Sequence, residues 1–161
     1  MAWSLYGRPF ASGELANTNA FVCFRPNHNM LLRAVRTWVI VNNDPTFTDL
    51  RGHIYSTDEA TVKTPKQIIK SSTNILTKSE IITLDNGVKE IYFEFGDVPL
   101  VAGAFYGFVL SGSGYSYTTG SHLAWKLAWP DPVYSPTPTY VETYATVGRA
   151  RMDVSFVGAK V

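Results

Sequence analysis

The chain has 161 residues, 14 basic and 13 acidic, for a net charge of +1. A domain of this length buries about 70% of its unfolded surface, so its core needs neither metal nor disulfide. The scattered Lys and Arg exclude the electrostatic footprint of a nucleic-acid binder, and the single cysteine, Cys23, excludes an internal disulfide.

Residues 1–17 read as an irregular N-terminal arm. They hold Gly7, Pro9, Gly13 and Asn17, show no clean period, and carry Trp3, Leu5, Tyr6 and Phe10 as candidate interface residues. Aromatics on an irregular arm need a surface to cover them. Either the protein's own domain or a partner subunit supplies it. Met1–Gly7 lacks a basic stretch followed by an apolar one, so no signal peptide is expected. The longest apolar run falls short of the ~18 residues of a membrane span, so no membrane association is expected.

Residues 18–161 read as one β domain. Asn19–Arg25 is the first predicted strand, and it carries Cys23 as a small core residue. Leu31–Val41 is apolar on both faces near its end, as a central strand would be. Asn42-Asn43-Asp44-Pro45 is a turn. Leu50–Ser56 alternates, with Leu50 and Ile54 on one face and Arg51, His53 and Tyr55 on the other. Residues 65–76 fit a short helix opened by Pro65 or an edge strand begun by it; the poor helix formers Ser71-Ser72-Thr73-Asn74 favour the strand. Lys78–Leu84 leads to Asp85-Asn86-Gly87, a hairpin signal. Val88–Phe95 follows, with Ile91, Phe93 and Phe95 opposite Glu90, Tyr92 and Glu94, and Gly96-Asp97-Val98-Pro99 closes it.

Ala104–Ser111 is almost wholly apolar and reads as a second central strand, ended by Gly112-Ser113-Gly114. In Ser121–Trp129, Leu123, Trp125, Leu127 and Trp129 alternate with His122, Ala124, Lys126 and Ala128. Tyr140–Thr146 and Arg151–Gly158 finish the chain, with Met152, Val154 and Phe156 facing inward. Roughly nine or ten short strands, at the 8–12-residue spacing of sandwiches and barrels, give an all-β fold. The expectation is a two-sheet antiparallel β-sandwich of jelly-roll type, with a closed barrel as the alternative.

Residues able to carry chemistry are few. His28, His53 and His122 share no metal-ligand spacing and none adjoins the cysteine, so no metal or other cofactor is expected. His53 and His122 fall on polar strand faces, where a solvated histidine is the plain reading. No Gly-x-Ser-x-Gly elbow or phosphate-binding loop occurs. Glu90 and Glu94 lie about 13 Å apart along one strand face, beyond the ~9.5 Å limit of an inverting glycosidase pair. Asp44, Asp49, Asp58 and Glu59 lack the spacing of a calcium loop. An enzyme is therefore not expected. The better lead is tyrosine. Tyr115 and Tyr117, two apart, and Tyr134, in the proline-stiffened 130–136 segment, offer rigid faces with polar tips. They suit a protein interface, a stacked sugar, or simple cover over the sandwich edge.

The order of elements over roughly residues 30–135 resembles the small β-sandwich modules of tailed-bacteriophage virion proteins. It is carried by Leu50–Ser56, Pro65–Ser72, Lys89–Phe95, Leu100–Leu110 and Leu123-Ala124-Trp125. Similar order occurs in phage decoration proteins, tail appendages and carbohydrate-binding sandwiches. The resemblance implies a virion structural protein, a capsid decoration (cement) protein made in the host cytoplasm. It would act as a homotrimer on the major capsid protein or another virion protein. The alternative it implies is a glycan-binding module of a tail fibre or tail tip.

Overall fold

The protein is described by a computed structural model, which covers residues 7–9, 21–57, 67–81, 87–116, 118, 120–126, 141–144 and 154–161. In chain order the elements are β1 (Gly7–Pro9), β2 (Phe21–Pro26), β3 (Met30–Asn42), β4 (Asp49–Thr57), β5 (Gln67–Ser71), β6 (Leu76–Thr77), α1 (Lys78–Ile81), β7 (Val88–Leu100), β8 (Phe105–Ser113), β9 (His122–Lys126), β10 (Val141–Tyr144) and β11 (Val154–Lys160). All pairings among them are antiparallel, in two sheets packed face to face. The protein is an all-β two-sheet sandwich.

Sheet A is built on β3. One edge of β3 pairs with β7 from Met30 to Ile40. The other is shared, by β11 along Met30–Thr37 and by β9 along Val39–Asn42, with β1 added outside β9. Sheet B runs β10-β2-β8-β4-β5, with β6 sharing the outer edge of β4. The two strands predicted as central, β3 and β8, are flanked on both sides. Strands that must be covered on both edges and filled on the inner face take the most apolar sequences.

Every connection crosses to the other sheet except those joining β4, β5 and β6. The strand expected to start at Lys78 does not: β6 pairs with β4 through Leu76–Thr77, and Lys78–Ile81 then makes the turn α1. Residues 82–86, which hold most of the hairpin expected at Asp85-Asn86-Gly87, lie outside the described residues, and β7 beyond them belongs to sheet A. The helical turn has a local cause. Glu80 reaches back over the turn as the acid of a capping box does: its Oε2 accepts from Thr77 N at 2.7 Å and from Thr77 Oγ1 at 3.0 Å. Those bonds hold the Glu80 carboxyl below its ordinary pKa.

The arm expected to be irregular contains a strand. Gly7–Pro9 pairs with Lys126–Ala124 of β9 and extends sheet A. The predicted stop at Gly96–Pro99 is also corrected. β7 continues to Leu100 through a register shift opposite Leu32–Ala34, where Gly96 takes φ of 70°.

The core lies between the sheets. Phe24, Phe93, Phe95, Phe108 and Leu123 are fully buried. Phe108 meets Phe93 and Phe95 with ring centroids 6.1 and 6.2 Å apart, and Phe24 meets Phe156 at 4.2 Å. In β7 the alternation is as the sequence predicts: Ile91, Phe93 and Phe95 face in, Glu90, Tyr92 and Glu94 face out.

Where β11 shifts register between Val157 and Gly158, the chain passes so close to β3 that a Cβ on Gly158 would run into the Leu31 carbonyl oxygen and the Met30 methyl. Gly158→Ala is therefore expected to cost ~1–3 kcal/mol, the usual penalty of overpacking. Urea denaturation checks it: the midpoint should fall with the slope unchanged.

Candidate functional site

Trp3, Leu5, Tyr6, Phe10, Tyr117 and Tyr134 lie outside the described residues. Tyr115 is described, and it is not a surface contact. It is 8% exposed, and its ring fills the space above Gly112, where a Cβ would stand 2.9 Å from Tyr115 Cβ. Its phenol oxygen accepts from Leu123 N at 3.1 Å and donates to Leu123 O at 3.3 Å. A buried tyrosine needs a partner for its hydroxyl, and here the backbone of β9 supplies it. Tyr115 ties the turn after β8 into the core; it is not placed to meet a ligand or partner.

His53 is the second correction. It is on the face of β4 opposite Leu50 and Ile54, as predicted, but it is 6% exposed and not solvated. Its neighbours across the sheet explain this. Val109 of β8 stands directly opposite and is fully buried, and Ser71 of β5 stands on the other side. The imidazole is held at both nitrogens, Nδ1 against Ser71 Oγ and Nε2 against Ser111 Oγ, each at 2.8 Å. Beside it, Arg51 is fixed by two bonds from Nε and Nη2 to Ser72 O, at 3.1 and 2.9 Å. Burial first, then the Arg51 charge, pushes the His53 pKa down to about 4.

The Ser111–His53 distance is that of a nucleophile and its base. The electrostatics oppose that use. A base working near neutral pH needs a pKa near that pH, and the imidazolium it would form is disfavoured here by burial and by the adjacent guanidinium. Ser71 also occupies the place where a carboxylate would stabilise that cation. The arrangement is that of a three-strand polar tie.

His122, the other predicted surface histidine, is half-buried. Its Nε2 lies 2.9 Å from Asn42 Nδ2, and its Nδ1 lies 3.1 Å from Thr118 O. Among the described residues no cluster of His, Cys, Asp and Glu is arranged to hold a metal ion.

Two surfaces stand out that the sequence reading did not single out. The first is the outer face of sheet A. Register places Tyr92 opposite Arg36 and Glu90 opposite Trp38, with Glu94 one pair further along. The Arg36 guanidinium lies 5.3 Å from the Trp38 ring centroid. Tyr92 is exposed, as are Glu90, Glu94 and Arg36. Aromatic faces bordered by a forked donor and two carboxylates can stack on a ring and bond its hydroxyls.

The second surface is β5. Ile68 and Ile69 in this edge strand are 43% and 41% exposed, and Ile75 just beyond it is 47% exposed. β5 pairs with β4 alone, so its other edge carries no strand among the described residues. An apolar edge strand is a ready template for another chain. The signal was present in Gln67-Ile68-Ile69-Lys70, but its exposure depended on which neighbour β5 would have.

No family model and no curated protein matches the chain.

Proposed function

We propose that the chain is a virion structural protein, a decoration protein that binds the major capsid protein or another virion protein and reinforces the particle as a homotrimer. The observation that carries this reading is the apolar edge strand β5, with Ile68, Ile69 and Ile75 turned to solvent. Sandwiches that do not use such an edge for contact shorten it, charge it or cover it. A cement protein works by adding interface across subunit junctions, and a bound surface stabilises by mass action. The resemblance in element order to phage sandwich modules supports the same class of protein, and the aromatic arm offers a further contact.

The test uses particles assembled without the protein. The purified full chain should cosediment with them. The double variant Ile68→Lys with Ile69→Lys should lose that cosedimentation while melting near the temperature of the unaltered chain, because both side chains are already wet. Undiminished binding by the double variant would refute the β5 contact, and absence of the protein from capsids in favour of tails would refute decoration.

A second reading, glycan recognition by a tail appendage, is favoured by the Trp38–Arg36–Tyr92 face of sheet A. It moves the sugar platform away from the tyrosines on which the sequence reading placed it. Titration with oligosaccharides should then quench tryptophan fluorescence in the unaltered chain and leave Trp38→Phe silent at that site.

A further inference from the structure

Residues 71–74 join the two sheets through hydrogen bonds at both ends. At one end they hang on β4. Ser71 Oγ meets His53 Nδ1, Ser72 O accepts both Arg51 bonds, Ser72 N donates to Gly52 O at 2.8 Å, and Gly52 N donates to Ser72 Oγ at 3.2 Å. At the other end they lie on the edge of β7, whose opposite edge is the one paired with β3. Asn74 Nδ2 donates to Tyr92 O at 2.8 Å, and Asn74 Oδ1 accepts from Glu94 N at 2.7 Å. Thr73 donates to Glu94 O through its backbone N at 2.6 Å and its Oγ1 at 3.1 Å. One asparagine side chain thus makes the pair of bonds that a neighbouring strand would make. It caps the edge of β7 and denies it to other chains.

We propose that the Ser71–Asn74 segment is an acid-released strap, latched at His53 and covering the pairing edge of β7. The latch has an electrostatic basis. His53 is fixed between Ser71 and Ser111 and beside Arg51. On its own strand it faces Arg51 and Tyr55. On β8 it faces Val109 and Ser111. On β5 it faces Ser71, with Lys70 the next residue along. None of these is a carboxylate, and Asp49, two positions beyond Arg51 on the same face of β4, stands about 13 Å from His53. A proton on the imidazole therefore sets a second cation beside Arg51 in a buried site where no anion answers it among the described residues. The cheapest relief is to lift Ser71 and Ser72 away and let water reach both cations. Opening the strap takes Thr73 and Asn74 off β7 at the same time, because they follow in one short segment.

Amide exchange followed by NMR, with rates normalised to their intrinsic values at each pH, tests the strap directly. The reporters are the amides of Ser72, Thr73 and Glu94; the amide of Val35, inside sheet A, is the control. If opening restores the ordinary histidine pKa, protection at the three reporters should fall by about a hundredfold between pH 7.5 and pH 4, and at every pH it should stay well below that of Val35, whose exchange requires global unfolding. In His53→Gln, which keeps a neutral hydrogen-bonding group, the three reporters should show no such acid loss. Asn74→Ala should expose the Glu94 amide already at pH 7.5 while leaving the titration of the His53 ring resonances in place. Protection that stays within threefold while the His53 ring titrates, or an equal acid loss in His53→Gln, would overturn the proposal.

Discussion

Phe108→Ala is expected to lower the stability of the domain by ~3–5 kcal/mol, which is the range for a fully buried phenylalanine. Against a total of about 5–15 kcal/mol for a domain, this is enough to leave the variant marginal. The reason is position. Phe108 sits at the middle of β8, its ring touches the rings of Phe93 and Phe95 from the facing sheet, and it pairs with Ile54 on β4. Gly52 is its complement. A Cβ there would stand 2.9 Å from Phe108 Cε2 and 3.0 Å from Phe93 Cγ. Gly52→Ala alone should therefore cost ~1–3 kcal/mol through overpacking. Once Phe108→Ala has removed one of these contacts and opened space into which Phe93 can shift to relieve the other, the same methyl group is accommodated, so the double variant should be less destabilised than the sum of the singles by at least ~1 kcal/mol. Urea titrations of the four proteins measure this coupling. Simple additivity would show that the two residues do not share one packing site.

Much of the fold was legible because the inner faces of the strands follow a period of two. Ile91, Phe93 and Phe95 could be assigned to the core from alternation alone, and the apolar continuity of β3 and β8 marked them as central. What alternation leaves open is which strand lies beside which. Asp85-Asn86-Gly87 illustrates it: these residues favour reversal of the chain, but they do not say whether the strands on either side share a sheet, and β6 lies in sheet B whereas β7 lies in sheet A. α1 was missed although Thr77-x-x-Glu80 was visible, because its four residues are too few to show a helical period.

The site residues show the same limit more sharply. Alternation puts His53 on the face of β4 opposite Leu50 and Ile54, where it stands, but a polar run reads as wet and this face is not. Its burial depends on Val109, Ser71 and Ser111, which come from two other strands at sequence distances that no local pattern links. Tyr115 looked like a loop aromatic because Gly112-Ser113-Gly114 precedes it. Those glycines instead let the chain turn back so that the phenol reaches Leu123, with Gly114 at φ of 65° and Gly112 leaving room for the ring. The Arg36, Trp38 and Tyr92 face could be found only after β3 and β7 were known to pair, since register alone brings these residues together.

The stability of the protein is expected to fall steeply between pH 6.5 and pH 4, before most carboxylates titrate. In the unfolded chain His53 takes up a proton near its ordinary value of 6.5, while in the folded chain its pKa is depressed to about 4. Between those values the unfolded state binds the proton and the folded state does not, so stability rises with pH across the window. The contribution is complete above pH 6.5 and is lost as pH falls toward 4. The gap converts to roughly 3 kcal/mol. Its origin is the neutral imidazole clasped by Ser71 and Ser111 next to Arg51, so the effect belongs to one side chain and can be removed with it. His53→Gln should be less stable than the unaltered protein at pH 7.5, because one of the two serine bonds goes. It should then lose about 3 kcal/mol less on acidification to pH 4, so that the two stability curves converge. Guanidinium midpoints measured every half unit from pH 7.5 to 4 give both curves, and the contribution of Asp and Glu cancels in their difference. Parallel curves would mean that His53 is protonated in the folded protein without penalty, and that neither burial nor Arg51 acts on it as the geometry requires.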